Sequence, residues 1–236
     1  MDAPRTARAR ARAELTSQIL DAAHRQLVDV GPSDLSLRAI ARELGMSSSA
    51  IYRYFASRDV LLTALIVQAY DAIGEAAEAA EAAVDRNDLE ARWLTACRAA
   101  RAWSLAHPHQ YSLIYGSPVP GYAAPADTID PAGRVGLLLA RIVQDAAATG
   151  RLATTGESER AEESTSRATG VMHPQVVEAF GEVDEASVIT GVAAWTSLFG
   201  TISFEMFGHY ENVVTDRDAF FDDVMRRAAY QAGLRS

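Results

Sequence analysis

One nineteen-residue stretch constrains this chain more than any other: Leu37-Arg-Ala-Ile-Ala-Arg-Glu-Leu-Gly-Met-Ser-Ser-Ser-Ala-Ile-Tyr-Arg-Tyr-Phe55. It reads as a helix, a glycine-bearing turn and a second short helix ending in aromatics. Ala41 is small where two helices must approach closely. Gly45 stands four residues later, where the first helix has to end at positive φ, a conformation glycine reaches without a Cβ penalty. Ile51 supplies an apolar anchor from the second helix. Ser36 and Ser47 are placed to cap the two helices. The pattern is a helix-turn-helix, whose second helix enters the DNA major groove.

The flanks extend the unit. A helix is expected from about Thr16 to Val30, with Ile19, Leu20, Ala23, Leu27 and Val30 as its inner stripe, stopped by Gly31-Pro32. Ser57 caps a fresh start, with Asp59 in its first turn. Charge follows the same division. Residues 1–60 hold nine Arg against seven acids, a balance of +2, while the remainder holds 13 Arg against 24 acids, a balance of −11. A basic footprint on an acidic body suits a localised nucleic-acid contact.

The run from Ser36 through Gly45-Met46-Ser47 to Tyr52-Arg53-Tyr54-Phe55 and Arg58 resembles the N-terminal domain of tetracycline-repressor (TetR) family regulators. Three departures from the family pattern are Ser36 for Thr, Tyr54 for His and Arg58 for Lys. Each keeps hydrogen-bonding or charge character. The resemblance covers about residues 14–62 and loosens beyond. It implies an all-α fold, with a three-helix DNA-binding head and a larger helical body for ligand binding and dimerisation. The expected organisation is a basic disordered arm at 1–14, the head at 15–60 and the body at 61–236.

Helical periodicity continues along the body. A long helix is expected from Ser57 to about Val84, another from Asp88 to Ala106, and a short one from His109 to Tyr115 after His107-Pro108. Gly116 to Asp127 is a Pro/Gly loop with no Gly-Lys-Ser/Thr after it, so a phosphate-binding loop is rejected. Helix returns from Pro131 to about Thr149, and Thr154–Gly170 reads as a polar mobile loop. Asp184 to about His209 is apolar nearly all round, which demands burial on every face. Gly191, Ala194, Ser197 and Gly200 would let a partner helix approach. A last amphipathic helix is expected over Asp218–Tyr230. The family resemblance implies a homodimer through these last two helices. His-Pro after the Trp103 helix, the Pro/Gly loop, Trp195 and Gly200 also resemble a C-terminal subclass named for a Trp-His-Gly signature, although Phe199 stands before Gly200.

Candidate DNA contacts are Ser36, Arg38, Ser47, Ser48, Ser49, Tyr52, Arg53, Tyr54 and Arg58. Arg38 and Arg53 suit guanine edges, because a guanidinium can bridge O6 and N7. Tyr52, Tyr54 and Arg58 suit phosphates, with Tyr54 open between contact and packing. Ser47 is a cap first. The arginines at 5, 8, 10 and 12 are an arm along the DNA or a solvated tail. An aromatic effector pocket is expected from Trp103, His107, Tyr111, Tyr115 and Trp195, against the plainer reading of these residues as core.

Other classes are set aside on composition. Cys97 is the only cysteine, excluding an intramolecular disulfide, and sits in an apolar pattern as a small buried hydrophobe. The five histidines show no metal-ligand spacing and no HExxH motif, so neither metal nor cofactor is expected. No uninterrupted apolar run approaches the roughly 20 residues of a membrane span, and the start lacks a signal-peptide core. The expected protein is a cytoplasmic, non-enzymatic regulator, a repressor in the usual mode of the family. It would bind a palindromic double-stranded DNA operator and answer to a small-molecule effector. The alternative is an architectural or interaction protein of the same fold without an inducer.

Overall fold

The structure is a computed structural model that describes residues 3–151 and 185–234. Its regular elements there are helices: α1 (Ala3–Val30), α2 (Leu37–Glu43), α3 (Ser48–Ile51), α4 (Arg58–Ala82), α5 (Leu89–Ala106), α6 (Pro108–Tyr115), α7 (Ile129–Ala148), α8 (Glu185–Met206) and α9 (Arg217–Gln231), with 3-10 turns at Pro32–Asp34 and Ala126–Thr128. The all-α class and the expected order hold. The segment Thr154–Gly170, read as a loop, lies outside the described residues.

Two compact units divide the chain. The first comprises Met1–Tyr70 and His107–Ile129, the second Asp71–Ala106 and Asp130–Ser236. The first unit therefore takes in α6 and the Pro/Gly loop, which the expected head of residues 15–60 left out. The reason lies in packing. Leu113 and Val119 are buried in the same apolar cluster as Ile19, Ile40, Ile51 and Leu65, with Ile114 and Tyr122 packed against it. Tyr122 Oη also lies 2.9 Å from Thr63 Oγ1 on α4.

Two local differences stand out in the first unit. Residues 3–14, expected as a disordered arm, continue α1 as helix. Alternating Ala and Arg carries no apolar stripe, yet both residues rank among the best helix formers. The second motif helix is also short. After Ile51 the chain closes with tight turns, Arg53 N–H donating to Ala50 O at 3.2 Å and Tyr54 N–H to Ile51 O at 2.9 Å.

The second unit packs α8 on α9 and α9 on α5. Trp93 is fully buried and donates from Nε1 to Met225 O at 3.1 Å. Arginine–carboxylate pairs bind its helices together. Arg134 on α7 reaches Glu78 at 2.6 Å and Asp71 at 2.9 Å on α4. Gly74 makes that approach possible, since a Cβ there would stand 2.8 Å from Arg134 Cβ. Arg101 on α5 holds Glu205 and Asp218, each at 2.7 Å. Cys97 is buried, and burial pushes its thiol pKa up, as expected of a small core residue.

By length and hydropathy α4 alone, among the described residues, meets the composition of a membrane span. Thr63, Gln68 and Asp71 interrupt its apolar residues, so it holds no unbroken apolar run of that length. Leu61, Leu62, Leu65 and Ile66 sit in the first unit's apolar cluster, the environment of a core helix.

Candidate nucleic-acid interface

The motif is fixed from its caps. Ser36 Oγ accepts from Ala39 N–H at 3.4 Å, and the Ser36 N–H donates to Gln26 Oε1 at 2.6 Å, tying the start of α2 to α1. At the other end Gly45 takes φ +66°. Met46 N–H donates to Ala41 O at 2.8 Å and Gly45 N–H to Arg42 O at 3.2 Å, the paired bonds of a Schellman stop. Ser47 Oγ then accepts from Ala50 N–H at 3.3 Å, so Ser47 caps α3. Ile40 and Ile51 are fully buried beneath.

On that frame Arg38, Ser48, Ser49, Tyr52 and Arg53 are all exposed. The guanidinium groups of Arg38 and Arg53 have no hydrogen-bond or ion partner among the described residues. A rigid backbone carrying unengaged guanidinium groups is ready to pair with base edges or phosphates. Ser49 is partly engaged, its Oγ 3.2 Å from Ser47 Oγ.

Two candidates are placed differently. Arg58 donates from Nη2 to Pro32 O at 2.7 Å and Ser33 O at 3.1 Å. It ties the α1–α2 connection to the start of α4, which engages the group assigned to a phosphate. Its partners lie some 25 residues away in the chain, so no local pattern announced them. Tyr54 is half-buried against the apolar cluster, with the Arg12 guanidinium 5.3 Å from its ring centre. Its packing role is thereby visible. Arg12, expected in the arm, also donates from Nη2 to Arg53 O at 3.2 Å.

The five residues expected to form an aromatic pocket fall in both units. His107, Tyr111 and Tyr115 belong to the first, Trp103 and Trp195 to the second. Tyr111 and Trp103 are buried as core. Tyr115 meets Tyr70 edge-on at 5.9 Å and Tyr111 at 5.1 Å. Burial pushes the pKa of Tyr70 and Tyr115 upward, keeping both phenols protonated. Trp195 packs on Phe199 at 5.7 Å. An open groove of about 690 Å³ in the second unit has a different lining, with Asp88, Glu90, Arg98, Arg151 and Arg226 among its charged side chains. None of the five aromatic-pocket residues lines it. Among the described residues no group of three or more His, Cys, Asp or Glu is arranged to hold a metal.

On α1, His24 Nε2 lies 3.3 Å from Gln68 Oε1. Burial lowers its pKa below the ordinary 6.5, and the Gln68 bond and Asp21 oppose that shift only in part.

Residues 19–65 match the model of bacterial regulatory proteins of the tetR family, and residues 93–228 match the tetracyclin repressor-like C-terminal domain. HTH-type transcriptional regulator Rv1816 of Mycobacterium tuberculosis is 36% identical over 217 residues, covering 90% of this chain and 89% of the relative. The solved structure of the protein SCO4313 aligns with TM-score 0.72 at 30% identity, over 93% of this chain and 97% of that one. RolR, solved in complex with resorcinol, aligns with TM-score 0.52 at 16% identity over 97% and 98% of the two chains, a likeness of fold alone.

Proposed function

This chain belongs to the tetracycline-repressor (TetR) family of transcriptional regulators, and on that premise we propose that it is a homodimeric repressor released from a palindromic operator by a small molecule. The observation that carries the reading is the pair of exposed, unengaged guanidinium groups, Arg38 and Arg53, on the capped α2–α3 frame. Arg53 reads a guanine through O6 and N7, and Arg38 serves an adjacent base or phosphate. Ser48 and Ser49 add contacts of low selectivity, and Tyr52 holds a phosphate. Two such heads occupy successive major grooves roughly 34–36 Å apart.

Dimerisation is assigned to α8 and α9. Ala193, Thr196, Gly200 and Phe204 are exposed at helical spacing along α8, Phe207 is exposed just past its end, and Phe220 and Tyr230 are exposed on α9. Nothing stands within 4 Å of where a Cβ on Gly200 would lie, leaving room for a neighbouring backbone. A stripe of this kind suits a second copy of the same surface. Phe204→Asp is expected to convert the dimer to a monomer in sedimentation at micromolar concentration. A wild-type protein that sediments as a monomer there contradicts the assignment.

Repression is competition with polymerase for the operator. The effector favours dimer states whose heads no longer fit both half-sites, so it must bind those states more tightly. The fold accommodates a small aromatic molecule in RolR, which supports a ligand of modest size in this body. A DNA operator places the protein's work in the cytoplasm, and no catalytic step is assigned to it. Selection of bound duplexes from a random library tests the reading. A palindromic consensus is expected, whereas binding without enrichment, lost at moderate salt, favours an architectural role.

A further inference from the structure

The start of α1 is helical, exposed and basic where a loose tail was expected. Residues 7–14 are all exposed, and the chain enters the apolar cluster only at Leu15. Ala7 to Ala13 alternates Ala with Arg, so guanidinium groups are the only long side chains over those seven residues, with exposed Glu14 following. Such a surface offers nothing apolar for a protein partner to bury and suits a polyanion.

Arg12 fixes where that surface stands. It donates to the Arg53 carbonyl at 3.2 Å and lies over the Tyr54 ring. The α1 extension is therefore docked on the carboxyl end of the short helix that carries the base-reading candidates. Helical register then separates the remaining arginines. Arg8, four residues before Arg12, shares its face about 6 Å further along the axis, whereas Arg10 points to the opposite side.

We propose that the extended start of α1 is a second DNA-contacting element, in which Arg12 anchors the helix to α3 and Arg8 binds a phosphate flanking the half-site. The proposal rests on the operator-binding reading above and adds a contact outside the helix-turn-helix. A phosphate contact carries no sequence information, so it strengthens binding to every duplex alike.

The test compares wild type, Arg8→Ala, Arg8→Lys and Arg10→Ala by fluorescence anisotropy. Each is titrated with a duplex selected from a random library and with its scrambled counterpart, between 50 and 200 mM salt. Arg8→Ala is expected to weaken both duplexes to the same degree and to reduce the salt slope by about 0.9, one phosphate's worth. Its deficit against wild type then shrinks roughly 3.5-fold across that salt range. Arg8→Lys retains the slope, and thermal unfolding of the variants matches wild type.

Wild-type affinity and slope in Arg8→Ala overturn the proposal while leaving the operator reading intact. Equal losses in Arg8→Ala and Arg10→Ala also overturn it, because they describe an arm without helical register. A wild-type protein that binds neither duplex overturns the operator reading, and this assignment with it.

Discussion

The two compact units differ in how many of their arginines are left without an internal partner. In the first, the guanidinium groups of Arg38, Arg42 and Arg53 are exposed without hydrogen-bond or ion partners among the described residues, while Arg25 pairs with Glu43 at 2.7 Å and Arg58 holds Pro32 and Ser33 carbonyls. In the second, Arg86, Arg92, Arg98, Arg101 and Arg134 each hold at least one carboxylate. One pair is buried outright: Arg92 Nε lies 2.5 Å from Glu81 Oε1, and Arg92 Nη2 lies 2.7 Å from Asp145. A unit held by apolar packing and caps can leave some of its cations available for an external anion. A unit that neutralises its own cations uses them to join helices. The same residue type therefore signals a binding surface in one place and an internal tie in the other.

The largest expected effect breaks the internal tie. Arg92→Met removes the buried one of the two arginine partners of Glu81, leaving the exposed Arg86, and is expected to cost up to about 3 kcal/mol in urea unfolding. Adding Glu81→Leu is expected to restore most of that loss, because an apolar pair replaces the ionic one without a lone charge. A single-variant loss below about 1 kcal/mol would mean the pair is not what holds these helices. Next in size is the turn of the first unit. Gly45→Ala forces a Cβ into φ +66°, with an expected loss of about 1–2 kcal/mol in thermal unfolding and weakened DNA binding. Unchanged stability would show that the stop tolerates a side chain.

The smallest effect separates the units by pH. The folded state holds His24 below its ordinary 6.5. The stability it contributes is full above 6.5 and declines as pH falls through the lower folded value. Asp222 is held below its ordinary 3.8 chiefly by its bond to Arg98. Its contribution is full above 3.8 and is lost only as pH falls through the folded value. His24→Gln should flatten the mild-acid limb of the stability curve, and Arg98→Ala the strong-acid limb. A variant that flattens the other limb would contradict the assignment.

The first unit was legible because its signals are local. Ser36, Ser47 and Gly45 announce caps and a stop within a few residues, and Ile40 and Ile51 announce the buried side. What stayed hidden depends on distance. Arg92 reads as a polar position in a helix until Glu81 and Asp145 meet it, 11 and 53 residues away. The carbonyls of Pro32 and Ser33 that Arg58 holds are likewise remote in the chain, so the sequence does not show them. The α1 extension was missed for a different reason, since alternating Ala and Arg shows helix propensity without amphipathic periodicity. An aromatic pocket rests on side-chain type, a property that buried core residues such as Tyr111 and Trp103 share, so the sequence alone does not separate the two.

Sequence selection repeated with Arg53→Ala is the most direct test of the claim that the unengaged cations of the first unit read DNA. The expected result is a consensus that loses its preference at one guanine in each half-site, with affinity for the original operator reduced. Tyr52→Ala, in the same selection, should weaken all duplexes alike and leave the consensus unchanged. An Arg53→Ala protein with wild-type affinity and an identical consensus would contradict the assignment of this surface.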